Sequence, residues 1–251
     1  MKLVRSANAH PFRTPQAVVN PLHNHVAGKA NTLSGVNAGG GQTFLVDEFL
    51  TTESAPLVSP RGSGFVINDT GNAWSIASGE LTPGAASLGT NNPGIWHVNG
   101  FGRVTGRTLK VRMKNVSAFG VDANKTFSPM AIWGDTAGAT SVVDFEGISY
   151  WVANTKFQIL DSVAATSWAS IETCLADTYN VFAIVLRAGG GAFHVVDGKL
   201  IGITRQNVDG NIHPNVGSLG SSRNPPQVDY MRVGDMLSPW NTDRKSTRLN
   251  S

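Results

Sequence analysis

Apolar residues in this chain come in short runs, and glycine, asparagine or proline closes most of them. Between Asp177 and Ile203 three such runs follow one another: Tyr179–Arg187, then Ala192–Val196 after the triplet Gly189, Gly190 and Gly191, then Lys199–Ile203 after Asp197-Gly198. Asp-Gly between two apolar runs predicts a two-residue hairpin turn, because both central positions need positive φ. The stretch therefore predicts a β-meander. Arg107–Lys114 alternates strictly, with Leu109, Val111 and Met113 on one face and Thr108, Lys110, Arg112 and Lys114 on the other. That period predicts a strand with one face in the core and one in water.

The same logic predicts strands at Phe44–Phe49, Phe65–Ile67, Ala73–Ile76 with Gly79–Leu81, Ile95–Val98, Pro129–Trp133, Asp144–Val152, Lys156–Leu160, Ile212–Leu219 and Val228–Val233. Ser162–Thr178 is ambiguous, and Trp168, Ile171 and Leu175 have the spacing of one or two helical turns within Ala164–Leu175. About a dozen short strands without a full-length helix point to an all-β fold, an antiparallel β-sandwich.

Residues 1–43 lack any sustained period and run from Pro11, Pro15 and Pro21 into a Gly-, Asn- and Ala-rich tract. They read as a flexible N-terminal arm and linker ahead of one domain at 44–236, with a tail at 237–251. The last nine residues, DRKSTRLNS, all fit the in-frame translation of a common sequencing adapter, so 243–251 is set aside from fold and function. Net charge is +3. Lys2, Arg5, Arg13 and Lys29 put +4 in the arm and the last nine residues add +2, which leaves the body at −3 and no basic face for nucleic acid. No apolar run nears the ~20 residues of a membrane span, and the basic N-terminus lacks the apolar core of a signal peptide. Cys174 is the sole cysteine, so no internal disulfide forms, and a buried small hydrophobe is its expected role.

Five segments then occur in a telling order: VDEF, WSIASGEL, RTLKVRMK, FAIVLRAGGGAFHVVDGKLIG and VDYMRVGDM. Together, over Phe44–Met236, they resemble the concanavalin A-like lectin/glucanase superfamily, in particular its laminin-G-like jelly rolls. The resemblance implies a concanavalin A-like jelly roll with its first and last strands side by side. It also implies a habit of binding carbohydrate or protein.

The resemblance extends to glucanases, whose carboxylates share one strand face in an E-x-D-x-E or E-x-D-x-x-E pattern, as nucleophile and general acid. None of the five glutamates, Glu48, Glu53, Glu80, Glu146 and Glu172, begins that pattern. Asp144 and Glu146 are the nearest substitute, an acidic pair at the edge of a strand. His23 and His25 are two imidazoles without a third ligand, and a metal site needs three or four. Calcium is common in laminin-G-like domains, and Asp69, Asp122, Asp135 and Asp209 are loop acids available to it, but no dense oxygen-rich motif appears. No G-x-S-x-G elbow is present, and His97 and His194 read as strand histidines.

Six tryptophans are more telling: Trp74, Trp96, Trp133, Trp151, Trp168 and Trp240. Sugar rings stack their C–H faces on aromatic rings, yet large aromatics mostly fill cores. In Gly147–Val152, Ser149 and Trp151 share one face and Ile148, Tyr150 and Val152 the other, so either Tyr150 or Trp151 becomes a sugar platform according to which face is outward. Trp96, Trp133, Glu146, Tyr150 and Trp151 are thus the candidate ligand-binding residues, with no catalytic residue, no metal ligand and no cofactor assigned. The expected function is non-catalytic recognition of a glycan or surface polymer, in a phage tail, another virion structure or an extracellular protein. The alternatives are an assembly module whose residues 1–43 dock to virion or surface-structure proteins, and a glycoside hydrolase with atypical carboxylates.

Overall fold

A β-strand puts residues i and i+2 on one face, so short runs of Val, Ile, Leu and aromatics between turn residues can each bury one side. The structure, a computed structural model, describes residues 42–54, 57–61, 63–68, 74–83, 94–97, 99–116, 130–135, 144–151, 155–161, 166–205, 208, 211–217 and 226–235. The strands are β1 (Gln42–Asp47), β2 (Phe65–Asn68), β3 (Trp74–Ala77), β4 (Glu80–Pro83), β5 (Gly94–His97), β6 (Arg107–Lys114), β7 (Met130–Gly134) and β8 (Phe145–Trp151). They continue with β9 (Lys156–Asp161), β10 (Thr166–Thr173), β11 (Asn180–Leu186), β12 (Ala192–Val196), β13 (Lys199–Ile203), β14 (His213–Gly217) and β15 (Gln227–Asp235). No helix occurs among the described residues.

Two antiparallel sheets result, packed as a concanavalin A-like jelly-roll sandwich. The first runs β13-β12-β11-β6-β15-β4-β3, and the second β10-β9-β8-β7-β14-β5-β2. β1 joins the first sheet beside the C-terminal half of β15, from Gln42↔Asp235 to Asp47↔Met231, so the first and last strands lie side by side as the resemblance implied. β1 starts two residues before the expected boundary at 44, and residues 1–41 and 236–251 lie outside the described residues.

The core is built from the inward faces of both sheets, including Leu109, Val111, Met113, Phe182 and Ile184 from the first and Phe65, Ile95, Trp133, Ile148, Tyr150 and Phe157 from the second. The meander forms as expected: Asp197 and Gly198 carry φ of 48° and 77°, the pair of positive values that the hairpin turn requires. Cys174 is buried in this core, and burial pushes its thiol up to about 11.

Two expectations are corrected. Residues 166–173 are strand β10, not helical turns. β10 lies on the edge of the second sheet and pairs with β9, with a register shift between Ala169 and Thr173. A ladder along β9 satisfies this backbone, whereas one or two isolated helical turns are unstable on their own, and an irregular strand can reproduce the apolar spacing of three. The second face of β6 is only partly wet, because Thr108 and Lys110 are buried while Arg112 and Lys114 are half-exposed. Lys110 is flanked by Ala183 on β11 and Arg232 on β15.

Gly191, with φ of 70°, sits where a Cβ would fall 2.0 Å from the carbonyl oxygen of Thr204; Gly189, with φ of 81°, has open space around it. Gly191→Ala should cost about 3 kcal/mol or more of unfolding free energy, and Gly189→Ala about 1 kcal/mol, from backbone strain alone. Urea unfolding of the two variants checks the order.

Candidate functional site

Cross-strand register decides which β8 residues look inward. Ile148 and Tyr150 pack in the core, and the same parity carries Glu146 inside. Trp133 on β7 stands opposite Glu146, is 0% exposed and donates its indole N–H to the carbonyl of Ile184 across the sandwich at 3.2 Å. Tyr150 is 1% exposed, and its hydroxyl lies 2.8 Å from the Met113 carbonyl and 3.1 Å from Asn180 Oδ1. Neither presents a face to a ligand. Both fill the space between the sheets, which is where large aromatic rings contribute most.

Glu146 is 1% exposed, and both carboxylate oxygens are engaged. Arg103 Nη1 donates to one at 2.8 Å, and Thr204 Oγ1 donates to the other at 2.7 Å. Arg103 also donates to the Gly191 carbonyl at 2.7 Å. Glu146 belongs to the second sheet, while Thr204 and Gly191 adjoin strands of the first, so the carboxylate clasps the two sheets through the segment joining β5 to β6. Burial pushes its carboxyl above the usual carboxylate range, and Asp161, opposite in the register, adds to the rise; Arg103 and Thr204 oppose it. His194, also turned into the core, is held neutral by burial, its imidazole pulled down to about 3.

The outer face of the second sheet is different in kind. Trp96 is half-buried there, between Val66 on β2 and Asn215 on β14. The row continues through Ile132 to Gly147 and Leu160, and the adjacent row holds Gly94, Gly217, Ser149 and Gln158. On the other side of Trp96's row, His213 faces Gly134 and Gly134 faces Phe145. Gly147 is required, because a Cβ would meet the Ala131 carbonyl at 2.3 Å and Ile132 Cγ2 at 2.4 Å. Among the described outward positions of this sheet there is no carboxylate.

Ser149 is 0% exposed and its hydroxyl has no hydrogen-bond partner. His213 has a structural duty as well. β14 contains Pro214, which has no N–H to give, and the register continued one step from Asn215↔Trp96 sets Pro214 opposite His97. His213 Nδ1 lies 3.0 Å from the His97 carbonyl oxygen and supplies a donor there. Gly100 leaves room for that ring, since a Cβ would come 2.8 Å from His213 Nε2.

Of the five candidates from sequence, then, Trp133, Glu146 and Tyr150 gather on the inner face and Trp96 lies on the outer one. Position 151 pairs with Lys156, and its side chain lies outside the described residues. Sequence reasoning did not single out Asn215, Ser149, His213 and Phe145, which share the outer parity with Trp96. Strand parity in HPNVG and FEGISYW was the available signal, but it leaves open which parity is outward. Among the described residues no three of His, Cys, Asp and Glu gather to hold a metal. His23, His25, Asp69, Asp122 and Asp209 lie outside them, and Asp135 serves at the β7–β8 end, its N–H donating to the Asp144 carbonyl at 2.9 Å.

No family model matches the chain. No curated protein matches it in sequence. Among solved structures it is similar to β-agarase B from Zobellia galactanivorans, at 10% identity and a TM-score of 0.50, over 78% of this chain and 92% of that one. An inactivated mutant β-agarase B in complex with agaro-octaose gives 11% identity and a TM-score of 0.50, over 78% of this chain and 93% of that one. At such identities the likeness shows the fold alone.

The raised Glu146 pKa has a definite sign. Between its ordinary value of 4.5 and the higher folded value, the folded chain binds more protons than the unfolded one. The contribution of this carboxyl to stability is full below 4.5 and is lost as pH rises through the folded pKa. Glu146→Gln should therefore lose ground to the parent chain in acid and regain it toward neutrality. Unfolding free energies of both proteins across pH 4 to 8 check it; a pH-independent difference would show that the shift is absent.

Proposed function

We propose that the sandwich is a non-catalytic recognition module for a glycan or surface polymer, part of an extracellular protein or a virion. The observation that carries this reading is Trp96, half-buried on the outer face of the second sheet beside the amide of Asn215. An aromatic ring partly open to solvent stacks on the C–H face of a sugar, and Asn215 beside it, its amide donating to the His213 carbonyl at 3.0 Å, holds the strand that backs the ring. The jelly-roll fold shared with a β-agarase B crystallised with agaro-octaose supports a glycan over other polymers.

Hydrolysis is the weaker reading. It needs two carboxylates flanking the bond to be cut, about 5 Å apart for retention. Glu146 and Asp161 face one another in the register, but inside the sandwich at 1% and 4% exposure, with Glu146 already bonded to Arg103 and Thr204.

Glycan microarrays followed by affinity electrophoresis of the full chain test the reading. The expected result is retention by at least one polysaccharide, about tenfold weaker in Trp96→Ala, as loss of one stacking contact implies, with an unchanged thermal midpoint. No reducing ends should be released on prolonged incubation. Release abolished by Glu146→Gln would establish the hydrolase instead. Absence of binding across the array would favour the assembly module with residues 1–43 as its docking arm.

A further inference from the structure

The corner of the first sheet where β11 turns into β12 and β13 ends brings two arginines together. One step past Leu186↔Ala192, Arg187 stands opposite Gly191 and donates its N–H to the Gly191 carbonyl at 3.0 Å. A Cβ on Gly191 would fall 2.0 Å from the Thr204 carbonyl oxygen and 2.5 Å from the Arg205 nitrogen, so β12 lies here against the peptide that joins those two residues. The guanidinium of Arg187 reaches the same peptide. Its Nη1 donates to the Thr204 carbonyl at 2.8 Å, and its Cζ lies 5.2 Å from the centre of the Phe193 ring. A ring and a carbonyl thus hold this half-buried guanidinium at the backbone of Arg205, which is exposed, and most of its five N–H donors remain for a ligand.

Neither arginine bonds to a carboxylate among the described residues. Arg103, whose Nη2 donates to the Gly191 carbonyl at 2.7 Å, already has Glu146, and Arg107 has Asp235. Two cations brought together without a counter-ion repel, and an oxyanion between them removes the repulsion while accepting charge-assisted hydrogen bonds. Exposed Ala188 and Gly189, the latter with open space around it, leave the approach clear. Beside the arginines the outward face continues as Phe193, Ile203 and Leu200, which are 37%, 40% and 46% exposed. An anion that also carries an apolar face fits both features, and a sugar with a carboxylate or sulfate has that form. An extended acidic peptide fits poorly. Ile201 bulges β13 between Leu200 and Gly202, which spoils that edge as a template for another strand.

We propose that Arg187 and Arg205 bind the carboxylate or sulfate group of an acidic polysaccharide, whose C–H faces lie along Phe193, Ile203 and Leu200. This site is on the other sheet from Trp96 and does not rest on it. Titration calorimetry of the full chain compares polygalacturonate and sulfated galactan with neutral galactan and with vesicles of phosphatidylserine and phosphatidylcholine, at about 50 and about 500 mM salt. The expected result is binding of an acidic polysaccharide that weakens at least about fivefold at the higher salt, and the better of the two ligands separates carboxylate from sulfate. Arg205→Gln should weaken it about tenfold at an unchanged thermal midpoint. Lys199→Gln removes the same charge from an exposed position at the far end of β13 and should weaken it less than about twofold. Equal losses in the two variants would overturn the site in favour of unspecific charge attraction. Tighter binding to the vesicles, lost in Arg205→Gln, would overturn the polysaccharide and make this corner a lipid-headgroup site. Absence of binding by both acidic polysaccharides would overturn the proposal outright, and the Trp96 reading would still be decided by the neutral ligands.

Discussion

The packing of Tyr150 between the two sheets is the contact on which much of the structure leans. Its ring centroid lies 5.6 Å from Phe157 in its own sheet and 5.1 Å from Phe182 in the other, and Phe157 meets Phe182 edge-on. A buried phenol also needs a hydrogen-bond partner, and the Met113 carbonyl and Asn180 provide one across the sandwich. The tie then travels outward. Asn180 Nδ2 donates to Asp197 Oδ2 at 2.6 Å, and Asp197 Oδ1 accepts from the Val181 N–H at 2.8 Å. One aromatic side chain thereby connects the centre of the second sheet to the Asp-Gly turn at the edge of the first.

The same choice of parity governs the chemistry. With Tyr150 inside, Glu146 four residues earlier must be inside too, and a buried carboxylate is tolerable only if both oxygens are bonded. Arg103 and Thr204 satisfy them, and the cost of desolvation survives as a raised carboxyl pKa rather than a broken fold. Meanwhile Phe145, Gly147 and Ser149 are left for the outer face. An interior acid and an outer parity without a described carboxylate are therefore one fact seen from two sides.

What could be read in the sequence was what is decided locally. The Asp-Gly turn, the strand at Arg107–Lys114 and the hairpin at Ser78-Gly79 all rest on neighbours a few residues apart, and all formed. The direction of β8 could not be read, since Ile148 and Tyr150 on one side and Trp151 on the other are equally apolar. Pairing with β7 and β9 settles it. Nor could the fate of Glu146 be read, because its partners are Arg103, 43 residues before it, and Thr204, 58 residues after it. β10 was misjudged for the same reason: its apolar spacing suits a helix, and only the free edge of β9 makes it a strand.

Pro214 shows how a structural debt can place a side chain. β14 pairs on both sides, with β5 and β7, and a proline there removes a donor from the ladder. His213 restores a donor to the His97 carbonyl with its ring nitrogen, which fixes the imidazole beside β5. Here the order comes from the sheet's own need for hydrogen bonds, so the His213 ring is held by the same force that holds the strand.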